Sequence, residues 1–166
     1  MLPTLSNTQL DSLFENKEIY SNSYLGCFAK DELKKIKPKT KFAVINNADA
    51  DKPGTHWTCF YCCPNQDEIL IFDSMGAPPA TDIHTYCSKV AAKTGKKMII
   101  NKRQLQNLGT DSCGWFCIYV LNHLFAGHTF EDILNTFSSN PSQNEHGLYK
   151  YFEDSINALQ EVAKKS

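Results

Sequence analysis

Neither sign of charge dominates this chain. Seventeen Lys and Arg against eighteen Asp and Glu leave a formal net charge of −1 over 166 residues. No global basic excess therefore points to nucleic acid or to a membrane surface. Lysines do gather locally, at Lys34, Lys35, Lys37, Lys39 and Lys41 and again at Lys93, Lys96 and Lys97, and read as solvated faces. No apolar run approaches the roughly 18 residues that a membrane span needs. Residues 1–10 lack the basic start and apolar stretch of a signal peptide, so an intracellular protein is expected. Also missing are a phosphate-cradling glycine loop, an internal repeat and a low-complexity linker. The length suits one domain over residues 1–166 with its own core. The seven cysteines are an odd number without a secretory signal, which argues for reduced thiols and against a disulfide framework.

What is present is a mixture of periods. Residues 6–15 read as a short helix capped by Ser6, with Leu10, Leu13 and Phe14 on one face. Residues 42–45 read as a strand and 46–54 as a loop rich in Asn, Asp, Pro and Gly. A hairpin follows, with strands at 57–63 and 69–72 around the turn Pro64-Asn65-Gln66-Asp67. Residues 81–94 suggest a helix and 97–100 another strand. After a cap at Asp111 or Ser112, the apolar positions Phe116, Cys117, Val120, Leu121 and Leu124 describe a buried helix that stops near Gly127. Thr129 with Asp132 resembles a capping box, and one last helix carries Leu148, Tyr151, Phe152, Ile156, Leu159 and Val162. Helices at both ends with strands between them make an α+β fold with a central sheet.

Four groups along this framework carry chemistry. Cys113 falls in the first turn of the central helix, where free amides and the macrodipole favour a thiolate. Gly114 after it lets a substrate or backbone come close. His56 follows Pro53-Gly54 at the start of a strand, and Asp73 ends the apolar strand Ile69-Leu70-Ile71-Phe72. In an antiparallel hairpin with an even loop, opposed residue numbers sum to an odd value. A two-residue loop pairs His56 with Asp73; a four-residue loop pairs Thr58 with Asp73 and leaves His56 diagonal. In both cases imidazole and carboxylate share one face of the sheet. Gln106, with Gln104 as its competitor, offers an amide that can donate to an oxyanion together with the Cys113 N–H. A base, an orienting acid, an amide and a thiol are the parts of nucleophilic acyl transfer. Cys117, one turn beyond Cys113, reads as core. Zinc on His56, Cys59, Cys62 and Cys63 is disfavoured, because Cys59 and Cys62 of a regular strand face opposite ways. No metal or cofactor is expected.

These residues resemble the adenovirus protease (adenain) family, within the wider clan of the SUMO-specific Ulp proteases. The matching strings run nearly the whole chain in order: Tyr24-Leu25-Gly26, Ala43-Val44-Ile45-Asn46-Asn47, Gly54-Thr55-His56-Trp57, Ile71-Phe72-Asp73 with Gly76, Gln106, Cys113-Gly114-Trp115-Phe116-Cys117, Asn140-Pro141 and Leu148-Tyr149-Lys150-Tyr151-Phe152-Glu153. The resemblance implies an adenain/Ulp-like cysteine protease fold, a mixed sheet with the nucleophile at the N-terminus of a buried helix. It implies Cys113 as nucleophile, His56 as base, Asp73 as orienting acid and Gln106 as oxyanion donor. Trp57, Gly54 and Gly114 would contact a substrate with glycine beside the scissile bond. It further implies cleavage of capsid or core precursors in virion maturation, in the virion and the infected cell, by a monomer from an adenovirus-related virus, a virophage or a Polinton-type element. The alternative within the clan is a SUMO or ubiquitin isopeptidase. Two departures stand out. Gly95-Lys96-Lys97-Met98 occupies the neighbourhood of the cysteine that binds the adenoviral activating peptide, so any such peptide is not disulfide-linked here. Adenoviral enzymes are strongly basic and use DNA, which this near-neutral chain argues against.

Overall fold

A computed structural model describes residues 2–62 and 66–165. Two short helices come first, α1 (Asn7–Glu15) and α2 (Glu18–Ser21), then strand β1 (Tyr24–Ala29) and a 3₁₀ helix (Lys30–Lys35). Strands β2 (Phe42–Asn46), β3 (Trp57–Tyr61) and β4 (Glu68–Phe72) follow, then α3 (Thr81–Thr94) and β5 (Lys97–Ile100). The rest is helical: α4 (Cys113–Phe125), α5 (Phe130–Asn135), α6 (Pro141–Tyr151) and α7 (Glu153–Lys165). The sheet order is β1-β2-β3-β4-β5. Both outer pairs are parallel and the inner pairs antiparallel, so the sheet is mixed. The fold is α+β, as the sequence suggests.

Each face of the sheet buries its own cluster. Val44, Cys59, Tyr61, Leu70 and Phe72 pack toward α4, α1 and the C-terminal helices. Ala43, Ile45, Phe60, Cys62, Ile69 and Ile71 pack toward α3. The strict alternation is the period of two in the strands. Cys59 and Cys62 accordingly lie in different layers. Cys63, and the turn positions Pro64 and Asn65, lie outside the described residues. Nine of the thirteen residues of α4 are buried, which makes it the central post of the larger cluster. Trp115 packs on Phe152 with ring centroids 4.9 Å apart, and Phe116 on Phe137 at 5.7 Å. Cys27, Cys59, Cys87, Cys113 and Cys117 are free thiols.

Three features differ from what periodicity suggests. Strand β1 escapes it because a register shift between Tyr24 and Gly26, with Gly26 at φ 140°, breaks the alternation. The hairpin strands are offset, ending at Tyr61 and beginning at Glu68. The single C-terminal helix is two, α6 and α7, which meet at Phe152 (φ −103°, ψ 13°). Leu148, Phe152 and Ile156 keep one buried i, i+4, i+8 face through the break, so their spacing does not reveal it. Tyr151 and Val162 are exposed and do not belong to the core.

Candidate active site

The first half of the site is placed by the sheet ladder. The β2–β3 register runs on to a bond from the Asn47 N–H to the His56 carbonyl at 2.9 Å, which fixes His56 at the head of β3. Cys59 opposes Phe72 and Phe60 opposes Ile71, so β3 and β4 pair with an odd sum. Continued by one step, that register sets Thr58 against Asp73 and His56 diagonal to it, the four-residue-loop alternative. The two side chains close the diagonal: His56 Nε2 lies 2.7 Å from Asp73 Oδ1. Asp73 is 3% exposed. Its Oδ1 also accepts the Met75 N–H at 2.8 Å.

Asn101 holds the Asp73 backbone from the next segment. Its Oδ1 accepts the Asp73 N–H at 2.9 Å and its Nδ2 donates to the Asp73 carbonyl at 2.7 Å. Gly76 (φ 68°) lets the exit from β4 lie against this segment. A Cβ there would meet the Arg103 carbonyl carbon at 2.6 Å and the Lys102 oxygen at 2.7 Å.

Cys113 opens α4, is 6% exposed, and accepts the Trp57 backbone N–H on Sγ at 3.3 Å. The first bond into the helix runs from the Phe116 N–H to the Ser112 carbonyl, so the N–H groups of residues 113–115 have no intrahelical acceptor. His56 and Cys113 line the same cavity, close enough for the sulfur to act on the ring electrostatically. With Nε2 on Asp73, Nδ1 is the ring nitrogen left for sulfur. Burial pulls the imidazole down, but the bond to Asp73 and the neighbouring Cys113 outweigh it and lift His56 to about 9. The imidazolium form is thereby favoured beside sulfur.

Beside His56 and Cys113 lies a cavity of about 520 Å³, lined by these two and by Trp57, Gly54, Asp111 and Leu5 among others. The N-terminal segment forms one wall. Trp57 Nε1 donates to the Leu5 carbonyl at 3.0 Å, and Trp115 Nε1 to the Pro3 carbonyl at 2.7 Å. A Cβ on Gly114 would meet Leu5 Cδ1 at 3.1 Å and Trp57 Cδ1 at 3.4 Å, so glycine is what this close approach tolerates. The loop after β2 is held by Asn46, whose Oδ1 accepts the Ala48 and Thr55 N–H groups.

The second half of the site is irregular. Gln106 is 2% exposed. Its Oε1 accepts the Ser74 hydroxyl at 2.5 Å, and its Nε2 donates to Thr110, to the carbonyl at 2.8 Å and to Oγ1 at 3.1 Å. Gln104 is exposed, and its amide donates to the Gln106 carbonyl at 3.0 Å. Ser112 stands at the N-cap position of α4, yet its hydroxyl caps no helix amide and donates instead to Glu145 at 2.7 Å. The structure thus brings His56, Asp73, Cys113 and Trp57 together and seats Gln106 on the neighbouring loop, tied to Ser74 beside Asp73. Sequence reasoning passes over Asn101, Ser74, Thr110, Asn46 and Glu145. The usable signal is a buried polar residue next to an apolar strand, as with Ser74 after β4 and Asn101 after β5. Among the described residues no group of three or more His, Cys, Asp or Glu could hold a metal ion.

No protein-family model matches the chain. The protease of Bovine adenovirus 7 is 25% identical over 142 residues, covering 71% of this chain and 70% of that protein. The crystal structure of the ASFV pS273R protease superposes with a TM-score of 0.66 at 14% identity, covering 89% of this chain and 65% of that one. A selenomethionine crystal structure of the same protease gives a TM-score of 0.65 at 13% identity, covering 89% of this chain and 66% of that one. The chain spans just under two thirds of the length of that structural neighbour. The fold is shared with the ASFV protease, and the sequence is similar to an adenovirus protease.

Proposed function

We propose that the chain is a cysteine endopeptidase acting as one domain and one subunit, with Cys113 as nucleophile, His56 as acid and base, and Asp73 as the orienting carboxylate. The observation that carries this is the contact from Asp73 Oδ1 to His56 Nε2 at 2.7 Å, with His56 and Cys113 lining one cavity and the Trp57 N–H on the Cys113 sulfur. The Cys113 thiolate forms a bond from Sγ to the carbonyl carbon of the scissile peptide. The carbonyl electron pair moves onto oxygen, which meets the Cys113 N–H and the Gln106 amide. For this the Gln106 N–H on Thr110 Oγ1, the longer of its two bonds, turns toward the oxyanion. His56 gives its proton to the leaving amine nitrogen, the C–N bond breaks, and a thioester remains. His56 then takes a proton from water, hydroxide attacks the thioester, sulfur departs as thiolate beside the protonated ring, and the product acid leaves and gives its remaining proton to solvent.

Trp57 and Gly54 line the cavity beside the sulfur, and Gly114, next to Cys113, packs against the Leu5 and Trp57 side chains, which favours small residues beside the scissile bond. The adenovirus similarity makes precursors of viral structural proteins the preferred substrates, cleaved in the virion and the infected cell. The source would be an adenovirus-related virus, a virophage or a Polinton-type element. Any activating peptide would bind without a disulfide at Lys96 and Lys97. The test is cleavage of a panel of glycine-containing precursor peptides beside SUMO and ubiquitin probes, by the parent and Cys113→Ser. Turnover by the parent with loss of at least about 10³-fold in the variant supports the assignment. Cleavage by Cys113→Ser at the parent rate sinks it, and turnover of SUMO or ubiquitin probes alone replaces the endopeptidase with an isopeptidase.

A further inference from the structure

The loop between Gln106 and Cys113 is gripped from outside by α6. The Asn107 N–H donates to Glu145 Oε2 at 3.0 Å, and the Ser112 hydroxyl to Glu145 Oε1 at 2.7 Å. One carboxylate therefore holds both ends of a loop whose flanking residues are Gln106 and Cys113. Neighbours on α6 reinforce it: Asn144 Nδ2 donates to the Leu105 carbonyl at 3.1 Å, and Asn107 Nδ2 to Ser142 Oγ at 3.1 Å. A serine at an N-cap ordinarily sits in extended backbone and accepts an N–H of the first turn. Ser112 has φ −83° and ψ 0° and makes no such bond. Its hydroxyl donates to Glu145 and caps none of the first-turn amides of α4.

We propose that Glu145 is a positioning residue for the oxyanion site, resting on the protease reading above. Its bridge sets the separation of Asn107 and Ser112, and so the convergence of the Gln106 amide and the Cys113 N–H on one point. It also fixes the direction of the Ser112 hydroxyl, which accepts from none of those amides. Glu145 touches no reacting atom, and its effect runs entirely through the loop.

The test compares the parent with Glu145→Ala and Glu145→Gln. Four quantities are read: steady-state peptide cleavage, inhibition by a peptide aldehyde, alkylation of Cys113 by iodoacetamide, and melting temperature. An aldehyde forms a tetrahedral adduct with an oxyanion, whereas alkylation at a saturated carbon forms none. In Glu145→Ala, kcat falls about 10- to 100-fold with KM within about twofold, since a misplaced group acts on the transition state. Aldehyde binding weakens by the same factor, while the alkylation rate stays at the parent value. Glutamine can accept the Asn107 N–H and donate to Ser112 Oγ, so Glu145→Gln restores kcat to within about threefold. Should Glu145→Ala not fold, Ser112→Ala removes one arm of the bridge and should show a smaller loss of the same kind. The proposal is overturned if Glu145→Ala keeps kcat within about twofold. It is overturned equally if alkylation and melting temperature fall along with kcat, or if Glu145→Gln is as impaired as Glu145→Ala. A parent protein with no fast-reacting thiol at Cys113 overturns the protease reading and this proposal with it.

Discussion

The two halves of the candidate site are built by different means. His56 directly precedes β3 and Asp73 directly follows β4, so the ladders of these adjacent strands set their places and a period of two puts them on one face. Gln106 and Cys113 are joined by a loop without regular structure, and side chains set its shape: Ser74, Thr110, Ser112, Asn144 and Glu145. A ladder distributes positional error over many backbone bonds. A loop held by single side chains concentrates it. The strand half should therefore tolerate substitution of its neighbours, and the loop half should fail one bond at a time.

The largest effect should come from the ladder half itself. Asp73→Asn leaves the strands intact but presents an N–H to His56 Nε2, so the ring can no longer offer that nitrogen as a donor. Cleavage should fall by about 10³- to 10⁴-fold, and alkylation of Cys113 should slow with it. Unchanged alkylation would remove Asp73 from the chain that activates sulfur.

Next comes Gln106→Ala in the loop half, with an expected loss of about 10²- to 10³-fold in kcat and normal alkylation of Cys113. If alkylation falls as well, the two halves are not separable and the comparison fails.

Asn101 joins the halves, because it reaches from the start of the irregular segment to the Asp73 backbone. Asn101→Ala leaves the buried Asp73 N–H without this partner and the Asp73 carbonyl with the Gly76 N–H, and should cost about 1–3 kcal/mol in chemical denaturation. A cost near zero would mean that the ladder alone holds Asp73.

The smallest effect is a pH dependence of stability. His56 is lifted from 6.5 to about 9 in the folded chain, against the pull of burial, by Asp73 and Cys113. Its protonated form stabilises the fold fully below about 6.5, and that contribution is lost as the pH rises through about 9. Denaturation midpoints should decline across that window in the parent and flatten there in His56→Gln. A decline of the same size in the variant would assign the dependence to other groups.

The ladder half is also the half that is legible in the chain. Even-loop arithmetic places His56 and Asp73 on one face before any coordinates, and the register found is one of its two alternatives. The apolar spacing from Phe116 to Leu124 locates α4, with Cys113 at its head. Helix α3 and strand β5 likewise fall where their periods put them. Where a bulge or a break interrupts a period without changing the buried face, as in β1 and at Phe152, the signal is lost.

By itself the sequence determined the α+β order of elements, the shared face of imidazole and carboxylate, and a thiol at the start of a buried helix. Each of these rests on a local period or a count along the chain, and such regularities are written in neighbouring residues. Only the tertiary structure decided that Gln106 hangs between Ser74 and Thr110, that Leu5 closes over Gly114, and that Glu145 takes the Ser112 hydroxyl from α4. Those contacts are mostly single side-chain bonds or packings between distant positions. They follow no period, and they form only once the helices and the sheet have brought their partners within reach.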